Sequence, residues 1–247
     1  MFAEERRTQI INIIRETGTV QVEQLAKKLD VSLMTIRRDL EKLRQEGIIE
    51  RCHGGAILKR EVAYTKKRTL QMEEKEKIAD KCAQYVKRGN TVFLDAGTTT
   101  YEIAKRIRDI PSITVITNDL EIAMLLMESD VNLLVCGGNV QKSTGSMLGD
   151  FANQMVEELR TEIAFIGAAS IDDEYNVLTP TSKKAVLKRL ICKYANRSYL
   201  AVDHTKFGKQ ALIKVNHLAD YSGVITNKVF GEEDDILKQR KINIIQV

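Results

Sequence analysis

What the chain lacks narrows its class first. No apolar stretch approaches the roughly 20 residues that a bilayer-spanning helix needs. The opening segment, Met1-Phe2-Ala3-Glu4-Glu5-Arg6-Arg7, is charged at once and has no apolar core of the kind a signal peptide carries. A cytoplasmic chain with no membrane partner is expected. Cysteine is sparse: Cys52, Cys82, Cys136 and Cys192 stand far apart and form no paired metal-ligand spacing. In a reducing compartment they read as small core or surface thiols. Histidine is sparser, and His53, His204 and His217 are scattered. No metal site and no cofactor are expected.

What is present points to a packed protein. The 247 residues suit one small and one medium domain. With 43% hydrophobic and 29% charged residues, a packed core is expected and disorder is not. The net charge of +4 is confined to the first 75 residues, and the remainder is balanced. That asymmetry suits a basic module facing nucleic acid, attached to a neutral domain.

Residues 4–16 read as a helix, with Ile10, Ile13 and Ile14 at helical spacing and Gly18 as a stop. Residues 19–22 read as a short extended piece. Residues 23–29 make a second helix with Leu25, Ala26 and Leu29 on one face. Asp30-Val31 is the turn, and Ser32 is a good N-cap for a third helix running to about residue 45. At about 100° per residue, Leu33, Ile36, Leu40 and Leu43 share one side of that helix. Met34, Arg37, Arg38, Glu41 and Gln45 share the other, with Thr35 at the flank. Arginine near the start of a recognition helix matches guanine edges or grips phosphate. Gly47 to Ile57 then holds two short apolar runs around Gly54-Gly55, a β-hairpin that would form a wing, with Arg51 and His53 within reach of phosphates. An amphipathic helix with two arginines is by itself an ordinary solvated helix; the whole order of elements is what points to DNA. The DNA-facing set is Ser32, Met34, Thr35, Arg37, Arg38, Arg51 and His53.

With those residues set out, the N-terminal segment resembles the DeoR family of bacterial regulators. The match lies in Glu5-Arg6-Arg7, Leu25-Ala26, Val31-Ser32, Thr35-Ile36-Arg37-Arg38-Asp39-Leu40, Leu43, Gly47, Arg51 and His53-Gly54-Gly55-Ala56.

Residues 58–74 are charged and have no sustained apolar period, so they read as a linker that could hold one helical turn. From about Lys75, short β-rich runs alternate with helical stretches. Strands are expected at 91–95, 113–117, 131–136, 163–167, 198–202, 223–226 and 242–247. Helices are expected at 100–108, 120–128, 151–160 and 183–194. Such alternation argues for a mostly parallel sheet covered by helices, in which ligands bind outside the carboxyl ends of the strands. Four of those ends are small or polar: Asp95-Ala96-Gly97-Thr98-Thr99-Thr100, Thr117-Asn118-Asp119, Cys136-Gly137-Gly138-Asn139 and Asp203-His204-Thr205-Lys206-Phe207-Gly208. Backbone N–H groups and hydroxyls at a helix start can hold a phosphate, and Lys188 and Lys206 offer cations. Each segment alone has a plainer reading as a cap or a turn. Four such loops from one parallel sheet would converge on a polar anion pocket.

The second part is similar to the sensor domain of the same family over about residues 75–230. The matching motifs are Leu94-Asp95-Ala96-Gly97-Thr98-Thr99-Thr100, Val115-Ile116-Thr117-Asn118, Gly137-Gly138, Phe165-Ile166-Gly167, Lys188-Arg189-Leu190-Ile191 and Asp203-His204-Thr205-Lys206-Phe207-Gly208. The resemblance implies a fold like that of ribose-phosphate isomerase and a phosphorylated sugar as effector. It also implies that Asp95, Gly97, Thr98, Thr99, Thr100, Thr117, Asn118, Gly138, Lys188, Asp203 and Lys206 lie near that effector. Two departures stand out. Lys183-Lys184 precede Ala185 where the family usually has an acid, and Asp119 follows the Thr-Asn pair where the family often has serine.

The expected architecture is α/β. A winged helix-turn-helix occupies residues 1–58, a linker 59–74 and a larger Rossmann-like sensor domain 75–247. The expected function is a repressor of a sugar or carbohydrate operon that binds double-stranded operator DNA as a homo-oligomer, dimer or tetramer, and is relieved by a sugar phosphate. The alternatives are a sugar-phosphate isomerase with a DNA-binding appendage, in which Asp95 and Asp203 would act as acid or base, and a ligand-responsive activator.

Overall fold

The computed structural model describes residues 2–17, 19–45, 48–52, 54–58, 64–231 and 235–247. The chain divides into two compact units, Met1–Arg60 with Lys209–Leu212, and Glu61–Gly208 with Ile213–Val247.

In the first unit α1 (Ala3–Thr17) leads to β1 (Thr19–Gln21), α2 (Val22–Leu29), α3 (Leu33–Gln45), β2 (Ile49–Cys52) and β3 (Gly55–Leu58). Ile10 and Ile14 of α1, Leu25 of α2 and Ile36, Leu40 and Leu43 of α3 are fully buried together with Val20, Ile49 and Ala56. Asp30 closes α2 in the left-handed region at φ 51°, which short polar side chains tolerate, and the Val31 N–H then reaches the Ala26 carbonyl at 3.1 Å. The strands form an antiparallel sheet ordered β1-β3-β2. Glycine is required at position 55, where a Cβ would stand 1.9 Å from the Val20 carbonyl oxygen and push β3 off β1. The extended piece expected at 19–22 is thus the third strand of the wing. Leu33, expected on the buried side of α3, is instead 43% exposed, because it opens the helix ahead of the turn that packs.

The second unit begins with α4 (Tyr64–Thr69) and α5 (Met72–Ala83). This corrects the linker expectation for 64–74: Tyr64 is buried, and the buried face of α5 starts at Lys75 and continues through Ile78, Ala79 and Cys82. Residues 59–63 lie outside the described residues. There follow β4 (Thr91–Leu94), α6 (Thr98–Ile107), β5 (Thr114–Thr117), α7 (Leu120–Leu126), β6 (Asn132–Val135), β7 (Asn139–Gln141), β8 (Ser146–Leu148), α8 (Asp150–Glu158), β9 (Thr161–Ile166), β10 (Ser170–Ile171), β11 (Asn176–Thr179) and α9 (Ser182–Tyr194). The chain ends with β12 (Ala195–Ala201), β13 (Ile213–His217), β14 (Gly223–Thr226), α10 (Asp235–Gln239) and β15 (Ile244–Gln246).

A seven-stranded parallel sheet runs β15-β14-β12-β9-β4-β5-β6. Helices cover both faces, so neighbouring residues of one strand feed different cores. Val92 and Leu94 pack with Ile103, Ile107, Val115 and Phe165, whereas Phe93 packs with Ile116, Ala164, Ile166 and Leu200. From β4 the chain builds outward through β5 and β6. It then returns to the other side of β4 and builds away through β9 and β12. The order therefore reverses between β4 and β9, and loops leaving these two strands diverge to open a crevice. The hairpin β7–β8 and the small antiparallel sheet β10-β11-β13 were not expected.

Candidate functional site

The helix-turn-helix presents one face of α3. Ser32 Oγ accepts the Thr35 N–H at 3.1 Å and lies 2.9 Å from the Thr35 hydroxyl, which fixes the first turn. With Ile36, Leu40 and Leu43 buried, the helix period turns Arg37 and Arg38 to solvent, beside an exposed Ser32 and a 70% exposed Met34; Thr35 is half-buried. Arg51 is exposed on β2, and His53 lies outside the described residues. Asp39, between the arginines and Leu40, is buried and holds Arg6 of α1 in a forked pair, with Nε–Oδ2 at 2.5 Å and Nη2–Oδ1 at 3.2 Å. Both residues stand in the motifs quoted above, but nothing in a sequence separation of 33 announces their pairing.

A cleft opens at the reversal point of the parallel sheet. Asp95, Gly97, Thr98, Thr99, Thr100, Asn118, Lys188 and Lys206 line it together. Asp95 Oδ2 accepts the Gly167 N–H at 3.1 Å and is ion-paired with Lys188, whose Nζ also donates to the Gly167 carbonyl at 2.8 Å. The loop after β4 is tied to the loop after β5. The Ala96 N–H donates to Asn118 Oδ1 and the Gly97 N–H to Asp119 Oδ2, both at 3.0 Å. The first ladder bond of α6 runs from Tyr101 N–H to Gly97 O at 3.0 Å, so Thr98, Thr99 and Thr100 form the helix start, where the macrodipole favours an anion.

Asp119 accounts for its own presence after the Thr-Asn pair. Its Oδ1 caps α7, accepting from Glu121 N–H at 2.8 Å and Ile122 N–H at 3.3 Å, while Oδ2 holds the neighbouring loop. Burial raises its pKa to about 6, against the N–H groups of Ile122, Glu121 and Gly97, which draw it down.

Three residues named from the sequence do not line the cleft. The Thr117 hydroxyl donates to the Leu94 carbonyl at 2.8 Å and accepts the Asp119 N–H, bracing β4 against β5. Gly138 sits at φ 126° where a Cβ would meet the Leu148 carbonyl oxygen at 2.6 Å, so it serves the β7–β8 hairpin. Asp203 caps the short 3-10 turn His204–Lys206 through Thr205, with Oδ2 lying 3.9 Å from Lys206 Nζ. Conversely, Ser146, Thr179 and Lys184 line the cleft and were not named for it. Lys184 and Lys188 are four apart on α9, hence on one helix face, which is the signal that could have placed Lys184. Ser146 and Thr179 come from β8 and β11, strands that no period announced. Among the described residues no group of His, Cys, Asp and Glu has metal-holding geometry, and no helix is long and apolar enough to cross a membrane.

Comparison with known proteins gives a consistent result. The DeoR-like helix-turn-helix domain matches residues 6–62, and the DeoR C terminal sensor domain matches residues 70–228. The HTH-type transcriptional regulator GlpR of Haloferax volcanii is 32% identical over 92% of this chain and 91% of its own length. The glycerol-3-phosphate regulon repressor of Escherichia coli K12 is 31% identical over 90% of each chain. The lactose phosphotransferase system repressor of Staphylococcus aureus is 30% identical over 96% of this chain and 97% of its own. Among solved structures, a D-ribose-5-phosphate isomerase in complex with phospho-erythronic acid matches 55% of this chain and 54% of its own, at 16% identity and a TM-score of 0.42.

Proposed function

This chain belongs to the DeoR family of helix-turn-helix transcriptional regulators, and from that premise we propose that it represses a carbohydrate-metabolism operon and releases its operator when a sugar phosphate fills the cleft. The observation that carries the reading is the outward face of α3, where Ser32, Met34, Arg37 and Arg38 are exposed opposite a fully buried Ile36, Leu40 and Leu43. A helix so held enters a major groove with its first two turns, arginines reading guanine or gripping phosphate. An oligomer sets two such helices about 34 Å apart, the spacing of successive half-sites.

The helix start of Thr98, Thr99 and Thr100 with Lys188 and Lys206 supports a phosphate as the ligand's anchor. The connection to DNA runs through α4, which follows the DNA-binding residues in the chain. The Tyr64 N–H donates to the Ser143 carbonyl at 2.9 Å, Arg68 lies 4.7 Å over the Tyr101 ring, and its Nη2 reaches the Tyr101 hydroxyl at 3.2 Å. A ligand seated at the start of α6 therefore acts on the helix that carries Tyr101 and holds α4. Its effect on DNA equals its difference in affinity between the bound and released arrangements.

The test is a mobility-shift assay on duplex selected from a random pool, with and without glycerol 3-phosphate, glucose 6-phosphate and fructose 6-phosphate. A retarded complex is expected, weakened by Arg37→Ala and Arg38→Ala and by at least one of the phosphates. Affinity indifferent to both arginine variants overturns the DNA-binding face. Affinity indifferent to every phosphate that binds the chain overturns induction.

A further inference from the structure

Two large apolar side chains open α3 facing solvent. Leu33 is 43% exposed and Met34 70%. Among the described residues of the N-terminal unit, the other strongly exposed large apolar side chain is Phe2, ahead of α1. The hydroxyls beside Leu33 and Met34 are engaged with one another and with the backbone of the first turn. At about 100° per residue, Met34 falls between Arg37 and Arg38 on the side of α3 away from Ile36, Leu40 and Leu43. Helical side chains lean toward the N-terminus, so Met34 stands ahead of both arginines, at the end of a recognition helix that meets base edges. The Arg6–Asp39 pair braces the helix from the other unit of its packing, α1.

A thioether has no donor and is only a weak acceptor. Pressed on a major-groove edge, it strips water from guanine N7 and O6, adenine N7 and N6, or cytosine N4 and returns no hydrogen bond. Thymine presents an apolar group there, its C5 methyl, and the unbranched, polarizable methionine side chain adapts to it. The charge on the same face selects a polyanion over an apolar protein patch. Phosphates answer the exposed Arg37 and Arg38, whereas an apolar partner would bury both guanidinium groups without a counter-charge. We infer that Met34, with Leu33 beside it, reads thymine: each operator half-site carries a thymine where the start of α3 meets it, and the C5 methyl packs on the Met34 side chain. This rests on the reading of α3 as the DNA-binding helix and names the base that its first turn selects.

The full chain is tested by mobility shift on the duplex selected from a random pool, with each thymine in turn replaced by deoxyuridine, which lacks only the methyl. At one thymine of each half-site the replacement is expected to weaken binding about fourfold, the contribution of one buried carbon group. Met34→Ser, at an exposed position, is expected to bind the thymine and deoxyuridine duplexes alike, while Met34→Leu, still apolar, keeps the difference. Indifference to deoxyuridine at every position, or a sensitivity that Met34→Ser leaves intact, overturns the inference; the DNA-binding reading then stands if Arg37→Ala and Arg38→Ala still weaken the complex. Failure to retard any duplex overturns both.

Discussion

Replacing Asp39 with alanine strips α3 of the carboxylate that holds Arg6, and the geometry sets the size of the effect. Exposed ion pairs contribute about 0–1 kcal/mol, while removing one partner of a buried pair destabilises by about 3–5 kcal/mol because the other charge is stranded. The side chain of Asp39 is 4% exposed and that of Arg6 11%, with two bonds at 2.5 and 3.2 Å. The pair therefore belongs to the buried class, and the partial exposure of Arg6 lets its guanidinium find some water, which puts the loss at the lower end, about 3 kcal/mol. Hydrogen exchange read by mass spectrometry on the intact chain measures this locally. Amides of α3 that exchange through opening of the N-terminal unit should speed up about 150-fold at roughly 1.4 kcal/mol per factor of ten, while peptides from β9 keep their rates. The double variant Arg6→Met with Asp39→Leu, which removes both charges and fills the space, should recover most of the protection. A change under tenfold in Asp39→Ala, or a double variant as exposed as the sum of the singles, refutes the assignment of a buried anchoring pair.

Three further outcomes follow from particular contacts. Gly55→Ala places a methyl on the Val20 carbonyl oxygen and should destabilise the N-terminal unit by about 3 kcal/mol or more in urea denaturation; Gly54→Ala, with φ +75° but open space around it, should cost about 1 kcal/mol, from the left-handed backbone alone. Lys188→Met leaves the buried Asp95 carboxylate without its cation and should destabilise the sensor unit by about 3–5 kcal/mol, largely restored when Asp95→Asn is added; equal stability of Lys188→Met and the unmodified chain contradicts this. Asp119 titrates near 6 when folded against its ordinary 3.8. Between these values the folded chain holds the extra proton, so the stability due to this group is present at low pH and lost as pH rises through the window. The stability of the unmodified chain relative to Asp119→Asn should fall by about 2 kcal/mol between pH 4 and pH 6, and a difference that stays flat over that range rules the shift out.

The long elements were legible in the sequence because each carried its own period. Ile36, Leu40 and Leu43 announced α3, and the continuous apolar run of Val92, Phe93 and Leu94 announced a strand buried on both faces. What escaped was short or paired at a distance. β10 has two residues and β7 and β8 three each, too few for alternation to register. α4 has six residues, and Tyr64 is its one apolar side chain amid lysines and an arginine, so the segment read as a charged linker. The cleft followed the same division. Loops at the ends of long strands delivered Asp95, the three threonines and Asn118 to it, and the cleft residues Ser146 and Thr179 sit on strands that no pattern exposed. Thr117, Gly138 and Asp203 were named from their loops, but a hydroxyl, a glycine and a carboxylate serve equally well to brace strands, admit a close backbone or cap a turn, and here they do.

The glycine loop after β4 illustrates why residue type and position together still underdetermine role. A strand leading through glycine into a helix reads as a nest of N–H groups open to an anion, yet the N–H groups of Ala96 and Gly97 are already engaged by Asn118 and Asp119 from the adjacent loop. The acceptor that takes the Gly97 N–H is a carboxylate buried among three backbone donors, so an incoming phosphate must displace it or pass it by. On the function proposed above, an anion would therefore meet the start of α6 and not the N–H groups of the loop. Side chains on a helix held by a buried ion pair keep their positions before a ligand arrives, and binding then loses less to ordering than it would on a mobile loop.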